Sequence, residues 1–165
     1  MTLYVVPIVE GPTEVACIQT LLHRVWSNLL GRPERIQVID PVRAPRDQIL
    51  DFDGKELIIT SKKAVAKLRA KTRACADSQL LVLILIDSEK DGCPATLGPE
   101  LLKIAKNTIP EDIHVSCVIA KRMLENWIVA GASSLCGVNG LPSTQVRRLR
   151  KFWWRRMAGP SNSFC

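Results

Sequence analysis

The order of apolar segments predicts an α/β fold, a mainly parallel sheet with helices on both faces. Three observations carry that expectation. Leu3–Val9 and Leu80–Ile86 are solid apolar runs, the pattern of strands covered on both sides rather than half-wet ones. Elsewhere the apolar residues recur at helical spacing. Strands that alternate with helices of this length favour parallel pairing with the helices laid over the sheet.

Taken in order, Leu3–Val9 is the first strand, and Gly11-Pro12 punctuates it, with Pro12 suited to the first turn of a helix. Val15, Ile18, Leu22, Val25, Trp26 and Leu29 give that helix its apolar face, and Gly31-Arg32-Pro33 stops it. Ile36–Ile39 is a short second strand. The stretch from Pro41 to Gly54, with two prolines and the mixed charge of Arg43, Arg46, Asp47, Asp51 and Asp53, reads as an irregular, solvated connection that can lie near the site. Ser61 is placed to cap a helix carrying Ala64, Val65 and Leu68 toward Ala76, with lysines and arginines on its wet side. Leu80–Ile86 is the strongest strand. A turn rich in acids follows, then a helix around Pro99–Asn107, a strand around His114–Ile119, and a helix from Lys121 to about Ala130. Residues 1–140 form the α/β domain, and 141–165 a basic, aromatic C-terminal segment.

Composition narrows the function classes. A chain of 165 residues with 47% hydrophobic and 24% charged residues can bury one core and is not a disordered polymer. Its longest purely apolar run, seven residues, is far too short to span a membrane. MTLYVVPIVEG has no basic head and meets an acid at Glu10, so a secretory leader is not expected and the cytoplasm is the expected location. Six scattered cysteines without a CxxC pair or a neighbouring histidine offer no zinc site and read as free, buried thiols. The net charge is +7, but the last 25 residues hold six bases and no acid, which leaves +1 for residues 1–140. Basic character belongs to the terminal segment. The oligomeric state is not legible in any of this.

Ligands of open parallel sheets gather beyond the carboxyl ends of the strands. Two strands here end directly in acid, the first at Glu10 and the third at Asp87. The motifs are Val9-Glu10-Gly11-Pro12-Thr13-Glu14 and Ile86-Asp87-Ser88-Glu89-Lys90-Asp91-Gly92-Cys93-Pro94. Asp87, Glu89 and Asp91 are spaced by two and can face one direction if extended geometry continues past the strand. Crowded carboxylates repel unless a cation neutralises them, and oxygen ligands without His or Cys suit Mg²⁺ or Mn²⁺. Glu14 falls in the first helical turn, where the helix dipole favours an acid in any case; it is a possible additional acid of the site.

The ordered set resembles the TOPRIM fold, a Rossmannoid architecture. It is closest to the TOPRIM-like family called domain of unknown function 4276, which shows an E-x-W segment after its next strand, here Met123-Leu124-Glu125-Asn126-Trp127. The resemblance covers about residues 3–131. It implies metal-dependent chemistry on nucleic-acid phosphodiesters, in DNA processing or phage defence. Glu10 is then the general acid/base, and Asp87 and Glu89 the metal ligands, with Glu where the family usually carries Asp. Asp91 and Glu125 are further candidate ligands, and Mg²⁺ or Mn²⁺ is the implied cofactor. Tyr4, the one tyrosine, lies inside the first strand, which excludes a tyrosyl–DNA intermediate in cis.

In the terminal segment Arg147, Arg148, Arg150, Lys151, Arg155 and Arg156 interleave with Phe152, Trp153 and Trp154. Such a segment can neutralise phosphates and stack on unpaired bases. As a helix, Val146, Leu149, Trp153 and Met157 would instead form an apolar stripe; both readings stand, and the residues after Gly159 read as unstructured. Nucleic acid is the expected partner. A P-loop is absent from the sequence, so an ATP-driven step would call for a separate ATPase. Three other classes compete: a non-catalytic binding module of a larger complex, a phosphoribosyltransferase-like domain, which lacks its Thr/Gly-rich phosphate loop here, and a receiver-like domain, which would want an acidic pair where Glu10 meets Gly11.

Overall fold

A computed structural model describes residues 1–51, 53–73, 77–88 and 93–120. The elements are β1 (Thr2–Val9), α1 (Pro12–Arg24), a π-helical turn over Val25–Leu29, β2 (Arg35–Val38), β3 (Val42–Arg43), α2 (Arg46–Ile49), α3 (Lys55–Thr72), β4 (Ser78–Asp87), α4 (Pro94–Lys106) and β5 (His114–Ala120). All the ladders between described strands are parallel, in the order β2-β1-β4-β5, with β3 joining β1 beyond the end of β2. The α/β fold with a mainly parallel sheet is therefore present.

Alternation along the strands assigns the faces. Tyr4, Val6 and Ile8 of β1 lie beside Leu80, Val82 and Ile84 of β4 and, with Ile86, face α3 and α4, which contribute Leu57, Ala64, Leu68, Leu101 and Ala105. Val9 and Leu85 point the other way, onto Ile18, Cys17, Leu21 and Leu22 of α1. Burying a side chain such as Ile84 or Leu68 is worth roughly 1.5–3 kcal/mol each, which is why these two strands consist of almost nothing but aliphatic residues. Pro7 is tolerated in a central strand because of where it falls. Val5 O accepts Ile39 N–H and Val9 O accepts Ala44 N–H, while Pro7 lies between them, opposite the gap that separates β2 from β3.

Several expected boundaries move. The Pro41–Gly54 connection is not irregular throughout: it holds β3 and α2. Two residues of strand and one helical turn are too short to leave a periodic signal. The helix expected to begin at Ser61 begins six residues earlier, at Lys55, and Ser61 is fully buried within it. Its N-cap is Gly54, at φ +60°, a conformation that suits glycine; a Cβ there would also sit 2.9 Å from Ile104 Cδ1 of α4. The helix expected around Pro99 starts at Pro94, and Pro99 lies inside it. The helix expected over residues 121–130 and the whole segment 141–165 lie outside the described residues.

Candidate functional site at the strand ends

Because β1 and β4 run side by side with Val9 opposite Leu85, their last residues emerge together at the carboxyl edge of the sheet. Glu10 and Asp87 are brought into contact there. The Asp87 backbone N–H donates to Glu10 Oε1 across 77 positions of chain. The contact joins the side chain of one strand-end acid to the main chain of the other.

The Asp87 main chain is gripped from two further directions. Arg46 of α2 donates from Nε to Asp87 O and from a terminal nitrogen to Ser88 O, each at 3.0 Å. Ser88, itself buried, donates its N–H to Ala120 O at the end of β5, 2.9 Å away. Ends of parallel strands leave carbonyls and amides without ladder partners, and here a carboxylate, a guanidinium and a neighbouring strand supply them. Arg43 of β3 adds a second cation at the same edge, donating from Nε to Glu10 O at 3.2 Å.

Glu14 comes to this corner as well. It is buried in the first turn of α1, and its carboxylate folds over the backbone of Gly11 so closely that a Cβ at position 11 would lie on Oε2. The dihedral angles at Gly11 are open to any residue, and a side chain there would displace the flexible end of Glu14 rather than the backbone. Of the other expected ligands and nucleic-acid-binding residues, Glu89, Asp91 and Glu125 lie outside the described residues, as do Arg147, Arg148, Arg150, Lys151, Trp153, Trp154, Arg155 and Arg156. Among the described residues no group of three or more His, Cys, Asp and Glu side chains is drawn together as a metal cluster.

Arg46 is the site residue to which the sequence assigns no role, since it stands in a stretch that reads as a solvated loop near the site. The available signal is two arginines three residues apart in a segment returning to the carboxyl edge of a parallel sheet.

The cysteines need one correction. Cys17 and Cys117 form no disulfide, but Cys93, just before α4, is disulfide-bonded. A bridge depends on the spatial approach of two Cα atoms, which spacing along the chain does not report. Burial pushes the Cys117 thiol up to about 11, so it is protonated at neutral pH and is no nucleophile.

What the edge offers chemically is a pair of oxygen-bearing acids beside two guanidinium groups, on a scaffold whose strand ends are fixed by hydrogen bonds. Among the described residues no helix is long and apolar enough to cross a membrane. Comparison with protein-family models, curated proteins and solved structures found no match to this chain.

Proposed function

We propose that this protein is a Mg²⁺- or Mn²⁺-dependent hydrolase of nucleic-acid phosphodiesters, acting at the carboxyl edge of β1 and β4. The observation that carries the reading is the contact between the Glu10 carboxylate and the Asp87 amide, which ties the two acidic strand ends into one place. The TOPRIM-like resemblance of the same two motifs supports it.

The donor chemistry suits a hard cation, because the candidate ligands are carboxylates and magnesium keeps several waters of its own. Asp87, together with Glu89, Asp91 and Glu125, would hold it, and when bound it would supply charge neutralisation at a non-bridging phosphate oxygen. The chain's own residues account for the rest. The Asp87 N–H fixes one oxygen of the Glu10 carboxylate at the strand end, and Glu10 is the residue there that would take a proton from an attacking water. Arg46 holds the main chain of Asp87 and Ser88 in place, fixing where the Asp87 side chain starts. Arg43 brings positive charge to the same edge, where a phosphodiester would bring negative charge.

Purified protein is expected to cut DNA or RNA with Mg²⁺ or Mn²⁺ and to stop on chelation. Cleavage that persists in both Glu10→Gln and Asp87→Asn would reject the assignment. Nucleic-acid binding with no metal-dependent cleavage by the wild type would leave a binding module.

A further inference from the structure

Helix α3 carries a charge distribution that neither its packing nor the strand-end site uses. Between Lys55 and Arg73 the chain holds seven bases (Lys55, Lys62, Lys63, Lys67, Arg69, Lys71 and Arg73) and a single acid, Glu56. Residues 1–120 as a whole carry 15 bases and 15 acids, so this one helix and its end hold a net +6 while the remainder of that region holds −6. Near-neutrality of the body conceals a separation of charge.

The buried positions Leu57, Thr60, Ser61, Ala64 and Leu68 turn one side of α3 to the core, which places Lys55, Lys62, Lys63, Arg69, Lys71 and Arg73 in solvent. Lys55, Lys62 and Arg69 follow one another at seven-residue steps, about 10.5 Å apart along one stripe, and Arg73 continues it one turn on. An ordinary wet helix face interleaves signs and gains from pairs four residues apart. Here the pairs four apart are Lys63 with Lys67, Lys67 with Lys71, and Arg69 with Arg73, all repulsive in the isolated helix. Two of the cations have exposed ion pairs, Lys55 with Asp53 at 2.5 Å and Arg69 with Asp112 at 2.6 Å, of the solvent-screened kind that yields readily to another anion. Lys67 instead reaches the carbonyls of Asp40 and Pro41. Lys62, Lys63, Lys71 and Arg73 form no ion pair among the described residues.

Direction matters as much as charge. Since β4 is parallel to β1 and α3 leads from the end of β3 and α2 to the start of β4, α3 runs against the strands. Its N-terminus therefore lies at the edge that bears Glu10 and Asp87, and the basic stripe leads away from that edge over roughly 27 Å, the rise of its 18 residues.

We propose that the outer face of α3 is a nucleic-acid backbone track that delivers the strand to the carboxyl edge. This rests on nucleic acid being the ligand in the proposed function, and assigns to α3 a share of the sequence-independent binding separate from that of the basic terminal segment. Phosphates alone are engaged, so binding is independent of base sequence and falls steeply with salt.

The test uses the full chain, a fluorescent oligonucleotide duplex and EDTA, with affinity followed across a salt series. Replacing Lys62, Lys63, Lys71 and Arg73 together by alanine, the best helix former, keeps the helix; a glutamine set at the same positions serves as a second variant. The salt slope is expected to fall by about 3.6 in magnitude, close to 0.9 for each of the four phosphates that are no longer neutralised, with at least tenfold weaker binding at low salt. A slope that changes by less than about 1 in both folded variants overturns the track. Competition by poly-glutamate as effective as by nucleic acid of equal charge also overturns it, in favour of an acidic protein partner. Wild-type protein that shows the expected slopes but cuts nothing with Mg²⁺ or Mn²⁺ sinks the hydrolase reading and leaves the track standing.

Discussion

The carboxyl edge and the outer face of α3 both concentrate charge, but they hold it in opposite ways. At the edge, charged groups are engaged with particular main-chain atoms far away in sequence: Glu10 with the Asp87 amide, and Arg46 with the Asp87 and Ser88 carbonyls, 41 and 42 positions along. On α3, Lys62, Lys63, Lys71 and Arg73 stand in solvent without an ion pair among the described residues. The first arrangement acts through position and the second through number. Substitution should accordingly be abrupt in one region and graded in the other.

The largest expected effect tests the abrupt side. Glu10→Gln and Asp87→Asn are each expected to lower metal-dependent cleavage by about 10²–10⁴-fold while leaving oligonucleotide affinity in EDTA unchanged. Equal losses in affinity would erase the contrast, because the edge would then be acting through its charge alone. Next is Arg46→Met, which removes the guanidinium donor from the carbonyls of Asp87 and Ser88. The expected cost is about 1–3 kcal/mol in urea unfolding, with cleavage falling too, and partial recovery of both in Arg46→Lys. Unaltered stability would show that the strand ends hold without it.

Single substitutions on α3 should be mild. Lys62→Ala or Lys71→Ala is expected to change the salt slope by about 0.9 and stability by no more than about 0.5 kcal/mol. A single replacement that abolished binding would make α3 a positional site after all. At neutral pH the smallest effect belongs to neither region. Burial raises the folded-state Cys117 thiol to about 11 from an ordinary 9.0, so its contribution to stability is complete below pH 9 and is lost as pH climbs toward 11. Alkaline unfolding of Cys117→Ala should lack that component; an identical pH profile would mean that the thiol does not titrate differently on folding.

Long, uniform segments are the legible ones. β1 and β4 are readable because each is apolar on both faces, and the two buried clusters on opposite sides of the sheet are the cause of that composition. The placement of Glu10 and Asp87 at strand ends is equally plain, since each directly follows an aliphatic run. Their contact is not, because it depends on β1 and β4 being neighbours in the strand order, and order leaves no periodic trace. Arg46 escapes for a different reason. Its role comes from β3, two residues long, which carries the chain back to the edge and is too brief to show a period. Ser61 misleads because a serine in a helix interior looks like a cap until its burial is known. The disulfide at Cys93 is hidden because closeness in space is not written in residue spacing.

The strand order also bears on how the protein is made. β1 leaves the ribosome well before β4, with which it makes its longest pairing and whose first residue, Ser78, lies about 70 positions beyond Val9. At roughly 5–20 residues per second, the interval before that partner emerges is about 4–14 seconds. During it one of the most apolar segments of the chain has β2 and β3 to pair only one of its two edges. Non-local parallel pairing of this kind forms late and slowly, which makes β1 the segment with most to gain from chaperone shelter during translation.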